Sequence, residues 1–266
     1  MLNLRNSFSL SSFGTALKTL TAIPWPGRES KDFASSLVWF PVTGLLLGLI
    51  LYGLSLLWEL SPFSPWPGGA ALFLIAAGIC LTRGLHFDGL ADWADSIGGS
   101  PEREKRLSIM KDTSLGTFGV LALIIVLLSK WIAFERLISS GSTFWLLIIL
   151  VISRSMMVEL MTTLPYARTE GGMGRPFVIQ ASTRHRVLSH AATIAVCIPF
   201  GPFSLFLFCL AWLETWLFGI RCLGQFGGIT GDLLGAANEL VEVTLLMICA
   251  LLGENLLSHT GWGWIF

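Results

Sequence analysis

An all-α, polytopic membrane bundle is the fold class this sequence predicts, and two observations carry that reading. Hydrophobic residues make up 53% of the chain and charged residues only 13%, about half the charge of a water-facing domain, and mean hydropathy is +0.72. Several apolar runs approach the roughly 20 residues that cross a bilayer as a helix, the geometry in which every backbone group is satisfied internally. A net charge of zero offers no field for nucleic acid. Cys80, Cys197, Cys209, Cys222 and Cys249 are scattered through apolar segments without a CxxC pair and read as small packing residues. Residues 1–21 lack an unbroken apolar core and a small-residue cleavage site, so no signal peptide is expected. One membrane-embedded domain over 1–266 is expected, with 1–34 as an N-terminal segment.

In that segment Phe13, Ala16, Leu17 and Leu20 recur at helical spacing with Lys18 off their face. This predicts a short amphipathic helix, either lying at the interface or packed on the bundle, stopped by Pro24-Trp25-Pro26-Gly27. A first span is predicted over 36–60, with Gly44 and Gly48 at the spacing that permits close helix approach. An uncharged turn, 61–68, leads to a second span over 69–85. Ser100, Pro101 and Glu102, followed by Lys105, Arg106 and Lys111, suit the ends of a short surface helix over 101–111. Further spans are expected over 117–137, 144–164, 203–220 and 231–252, with a shorter one at 187–200, for about seven crossings. With the N-terminus in the cytoplasm, Arg5, Lys18, Arg28 and Lys31, then Arg103, Lys105, Arg106 and Lys111, then Arg168, Arg175, Arg184 and Arg186 all fall on the cytoplasmic side. Only Arg136 falls in a long turn on the other, as the positive-inside rule predicts. The polar stretches 86–116, 165–186 and 223–242 then share one face and are free to converge.

The first of them carries the chemistry. Read as a helix, Asp88, Asp92 and Asp95 fall at about 0°, 40° and −20°, a stripe of like charge at a membrane edge. No Lys or Arg lies between Gly84 and Glu102. Such a stripe is explained by a divalent cation between the carboxylates or, more simply, by a solvated helix face. In the third stretch Asp232 and Glu239 are seven residues apart, on one helical face, with Gly235 and Ala236 leaving that face open for a ligand or another helix. Acids in an apolar span cost roughly 2.5–3.5 kcal/mol each on insertion scales. The loop Tyr166-Ala167-Arg168-Thr169-Glu170-Gly171-Gly172-Met173-Gly174-Arg175-Pro176 combines glycines with two arginines, as an anion-binding loop or a flexible linker would. Arg154 and Glu159, five apart inside a span, are read as pairing elsewhere in the bundle, and His86, about 160° from Asp88, as a packing residue.

Arg83-Gly84-Leu85-His86-Phe87-Asp88-Gly89-Leu90-Ala91-Asp92 with Asp95, then Ile109-Met110-Lys111-Asp112-Thr113-Ser114 and Gly116-Thr117-Phe118-Gly119, resemble the adenosylcobinamide-GDP ribazoletransferase (cobalamin synthase) family. Thr21-Ala22-Ile23-Pro24, Leu164-Pro165-Tyr166-Ala167-Arg168 and the Thr230-Gly231-Asp232 stretch through Glu242 are similar to it as well. Trp93 departs from the small residue usual there. The resemblance implies a catalytic domain at a bacterial inner membrane, its site facing the cytoplasm. It would join adenosylcobinamide-GDP with α-ribazole or its 5′-phosphate and release GMP with the help of Mg²⁺. Within that reaction, spacing and membrane side suggest roles: Asp88, Asp92 and Asp232 as direct metal ligands, and Asp95 as a ligand or the base that accepts the ribazole hydroxyl proton. Arg168 and Arg175 hold phosphate, and Asp112 and Glu239 are further substrate contacts. Oligomeric state is open, a homo-oligomer and a complex with other cobalamin-pathway enzymes both being compatible. A CDP-alcohol phosphotransferase and an ion-coupled transporter using Arg154, Glu159 and Asp232 are the rival readings. Asp92 stands where the first rival has arginine, and the second expects acids at the midplane and inverted repeats.

Overall fold

The computed structural model describes residues 9–169 and 171–263; residues 1–8, Arg5 among them, and Glu170 of the glycine-rich loop lie outside these. Among the described residues the secondary structure is helical, apart from an isolated parallel bridge between Tyr166 and Ile229. In chain order the helices are α1 Leu10–Leu20, α2 Phe40–Glu59 (entered through a 3-10 segment, Phe33–Trp39), α3 Pro67–Thr82, α4 Leu85–Gly99, α5 Arg103–Ile109, α6 Thr117–Ser139, α7 Leu146–Thr163, α8 Arg175–Gln180, α9 Thr183–Cys197, α10 Pro202–Phe226, α11 Gly231–Leu252 and α12 Asn255–Ser258.

α7 is the axis of the bundle: 89% of its apolar window is buried, against 28% for α6 and 33% for α10. α6 turns Leu121, Ile124, Ile125, Leu128 and Ile132 outward, the surface a hydrocarbon phase would cover. α2 lies close on α7 because of its two glycines. A methyl at Gly44 would meet the Leu150 carbonyl, and one at Gly48 would come within 2.8 Å of Leu147 Cα. α1, capped by the Ser9 hydroxyl accepting from Ser12 N at 3.2 Å, buries Ala16, Leu17 and Leu20. Its Ser12 hydroxyl pairs with that of Ser35 at 2.6 Å, so α1 is packed on the bundle. α5 begins two residues later than expected, because the Ser100 hydroxyl accepts from Glu102 N and its carbonyl accepts from Arg106 Nε.

The count of crossings needs correction. Five helices are long and apolar enough to cross a membrane, or six if α3 and α4, bent by 90° at their junction, form one broken span. The seventh, expected at 187–200, does not meet that length and composition: α9 carries Arg184, His185, Arg186 and His190 and is only 15 residues long. It still runs the height of the bundle, since beyond its end Phe200 packs on Trp145, whose Nε1 donates to Thr260. Its polar residues turn inward. The His190 Nε2 meets Glu159 at 2.8 Å and its Nδ1 meets Ser155 at 2.8 Å. Charges inside the bundle pair likewise: Lys130 with Glu239 and Glu242, each at 2.7 Å, and Arg154 with Glu242. Arg154 and Glu159 therefore do find separate partners, which is how spans tolerate ionised groups.

Candidate active site

At the α3–α4 junction Arg83 and Gly84 both adopt left-handed backbone (φ 56° and 65°), and this double reversal produces the 90° bend. α4 then lies across the first turns of α11. Gly89 makes that possible, because a Cβ there would collide with the Asp232 backbone, and one at Gly235 would come within 3.2 Å of His86 Cα. The open face of α11 is thus used by another helix. α11 itself starts at Thr230, whose hydroxyl accepts from Leu233 N at 3.2 Å. The loop before α8 is stitched to it by Ala167 N donating to the Ile229 carbonyl at 2.8 Å and Ile229 N to the Pro165 carbonyl at 2.9 Å. The three polar stretches therefore meet at one end of the bundle.

Their side chains surround a cavity of about 780 Å³, lined among others by Asp88, Asp232, Arg168, Tyr166, His86 and Phe177. Arg168 donates to Asp232 at 2.7 Å and to the Met110 carbonyl at 3.3 Å, which binds loop, α11 and the end of α5 together. Asp92 stands in the electrostatic field of Asp232 and Asp88, so the stripe and Asp232 repel one another across a short gap. Burial pushes the Tyr166 hydroxyl's pKa upward against the opposing pull of Arg168, so it stays a protonated donor. Three buried donors on this wall, Arg168 Nε, His86 Nε2 and the Tyr166 hydroxyl, have no hydrogen-bond partner among the described residues. For His86 the assignment follows from Asn238 Nδ2 donating to its Nδ1 at 2.9 Å, which leaves the proton on Nε2. Orphan buried donors cost about 1–3 kcal/mol each unless a ligand meets them.

The structure does not gather all the expected residues. Asp95 accepts from Gly116 N and Gly119 N, both at 2.8 Å. It caps the start of α6, and both its oxygens are engaged there. Asp112 is exposed and turns back to accept from Ser114 N, away from the cavity wall. Arg175 is exposed at the start of α8, and its neighbours Gly174 and Pro176 line the cavity in its place. Glu239, 3% exposed, is paired with Lys130 two turns down α11 and is not among the residues that line this cavity. No three His, Cys, Asp or Glu side chains among the described residues meet as a ready-made metal cage. Sequence reasoning passed over Lys130, the cation that neutralises Glu239, although a lone lysine inside an apolar span is a visible signal. It also passed over Lys18 and Arg83, which line the same cavity.

Charged groups facing one another across a cavity at the end of a bundle, with the internal charges paired among themselves, are compatible with a polytopic membrane enzyme. The chain belongs to the cobalamin-5-phosphate synthase family, which residues 12–250 match, and it is a transferase of cobalamin nucleotide-loop assembly. It is 42% identical to the adenosylcobinamide-GDP ribazoletransferase of Chlorobium chlorochromatii, over 91% of this chain and 97% of that one. Relatives of the same name from Chlorobaculum parvum (41% identical, 94% and 98% covered) and Syntrophobacter fumaroxidans (39%, 90% and 98%) are similar along nearly their whole length. No solved structure matches it. The CDP-alcohol phosphotransferase and transporter readings are set aside.

Proposed function

We propose that the chain joins adenosylcobinamide-GDP to α-ribazole or α-ribazole 5′-phosphate, giving adenosylcobalamin or its 5′-phosphate and GMP, at the cytoplasmic face of a bacterial inner membrane. The relatives' name supplies the donor and the transferred group. In this chain the observation that carries the reading is the Arg168–Asp232 pair on a wall that Asp88 shares. The asymmetry of Lys and Arg supports the choice of face.

A ribose hydroxyl of the acceptor attacks the phosphorus that carries cobinamide. A new P–O bond forms, the P–O bond to the GMP phosphate breaks, GMP leaves with the bridging oxygen, and the hydroxyl proton passes to a cavity carboxylate. Most of the work in such a transfer is positioning and charge compensation. Arg168 is held in place by Asp232 and the Met110 carbonyl and presents its remaining donors, the unpartnered Nε included, to phosphate oxygens. Magnesium is ordinarily held by one or two carboxylates plus waters and substrate phosphates, and Asp88 and Asp232 on the cavity wall, with Asp92 in their electrostatic field, fit that kind of open site better than a protein cage. Mg²⁺ held there with substrate oxygens would neutralise the pyrophosphate. Asp95 serves as a positioning residue, fixing α4 to the start of α6.

GMP release from adenosylcobinamide-GDP in proteoliposomes tests this reading. Asp88→Asn and Asp232→Asn should each lower kcat/KM at limiting Mg²⁺ by at least about 100-fold. Near-normal release by either variant at low Mg²⁺ would overturn the metal assignment.

A further inference from the structure

The Tyr166 hydroxyl takes no part in the transfer just described, yet the fold holds it closely. Tyr166 bridges to Ile229 just ahead of α11. The flanking bonds, Ala167 N to the Ile229 carbonyl at 2.8 Å and Ile229 N to the Pro165 carbonyl at 2.9 Å, fix its backbone. Gly174 sits beside its ring, where a methyl would come within 3.5 Å of Cε2. Gly172 closes over the hydroxyl itself. With φ 94° it has the left-handed backbone that favours glycine, and a Cβ there would strike the Tyr166 oxygen. The hydroxyl is buried without a hydrogen-bond partner among the described residues. A phenol is ordinarily protonated at neutral pH, so its O–H is a donor with nothing to bond, a costly arrangement unless a ligand meets it.

The surroundings are short of side chains. Gly172, Gly174 and Gly231 line the cavity with Tyr166 and Arg168, and Gly174 packs on Gly231 so that a Cβ would lie 3.4 Å from its Cα and its N. Gly231 opens α11, 22 residues long, whose first turn carries free N–H groups and the positive end of the helix dipole. The acid in that turn, Asp232, is matched by Arg168 at 2.7 Å. Bare backbone beside a guanidinium and an unspent O–H suits a compact anion better than a ring. We propose that Tyr166 is a catalytic hydrogen-bond donor to the phosphate of the departing GMP, held in place by Gly172; the inference rests on the transfer reaction proposed above. When the P–O bond breaks, its electron pair stays on the bridging oxygen and the GMP phosphate gains one negative charge. A fixed donor to that phosphate therefore acts more strongly in the transition state than on the intact substrate. Tyr166 keeps its proton throughout: the hydroxyl hydrogen-bonds the leaving group and transfers nothing to it.

The test is steady-state turnover of full-length protein in proteoliposomes, with GMP added as a product inhibitor. Tyr166→Phe keeps the ring and its packing and removes only the hydroxyl. Its kcat should fall at least about tenfold while KM for adenosylcobinamide-GDP and for α-ribazole each stay within about threefold. The inhibition constant of GMP should rise at least about fivefold. Gly172→Ala should lower kcat in otherwise unaltered protein and add less than about twofold to the loss in Tyr166→Phe, since both changes act through one hydroxyl. Normal turnover by Tyr166→Phe, a loss of turnover with GMP inhibition unchanged, or additive losses in the double variant would each overturn the donor role. Absence of turnover by unaltered protein would overturn the transfer reaction itself, a result distinct from the other three.

Discussion

Among the acidic residues of α4, what each carboxylate touches decides its part. Asp88 faces the cavity, Asp92 sits in the field of Asp88 and Asp232, and Asp95 is drawn off by two backbone amides at the start of α6. Helical spacing alone places the three on one stripe and cannot tell them apart, because it knows nothing of the neighbouring helix that consumes Asp95. Capping contacts of this kind are worth about 0.5–2 kcal/mol. Asp95→Ala should therefore lower the melting temperature in detergent and reduce turnover less than Asp88→Ala does. Asp95→Asn, which keeps one accepting oxygen, should retain most of both. Loss of turnover by Asp95→Asn at an unchanged melting temperature would return Asp95 to the role of ligand or base. Glu239 teaches the same lesson: its position on the Asp232 face is right, and Lys130, 109 residues away in sequence, is what claims it.

At the scale of elements, glycines set the distances on which the site depends. Gly44 and Gly48 bring α2 onto α7, a contact legible from their four-residue spacing. Gly89 and Gly235 seat α4 on α11, a contact that spacing does not announce. Gly89→Ala would drive a methyl into the Asp232 backbone. It should separate the α4 carboxylates from Asp232 and cut GMP release by at least about tenfold, while the far end of the bundle, around Trp145, keeps its fluorescence. Unchanged kinetics would mean that α4 does not need its close seat on α11. Arg83 and Gly84 form a further element-scale device. The apolar run of α3 is readable as a span, but its sharp turn into α4 depends on a left-handed arginine that no sequence pattern advertises.

At the scale of the whole molecule, topology follows from the distribution of cations. Lys111 and Arg168 border the end that holds the cavity, and the 61–68 turn borders the other. With the other cysteines replaced, Lys111→Cys should react with a membrane-impermeant maleimide only from the cytoplasmic side, and Ser64→Cys only from the opposite side. The reverse pattern would invert the proposed orientation. The sequence by itself determined the all-α membrane class, the approximate positions of the apolar spans and the residue types able to handle a pyrophosphate, because hydropathy, helical period and charge are local properties of the chain. Tertiary structure decided which of those residues act together. It assigned Asp95 to a cap and Glu239 to an ion pair, left α9 as a polar helix short of a span, and brought Lys18 and Arg83 to the cavity that Asp88 and Asp232 share. Each of those outcomes depends on which helix lies against which, and side-chain contacts between distant segments are set by packing rather than by spacing along the chain.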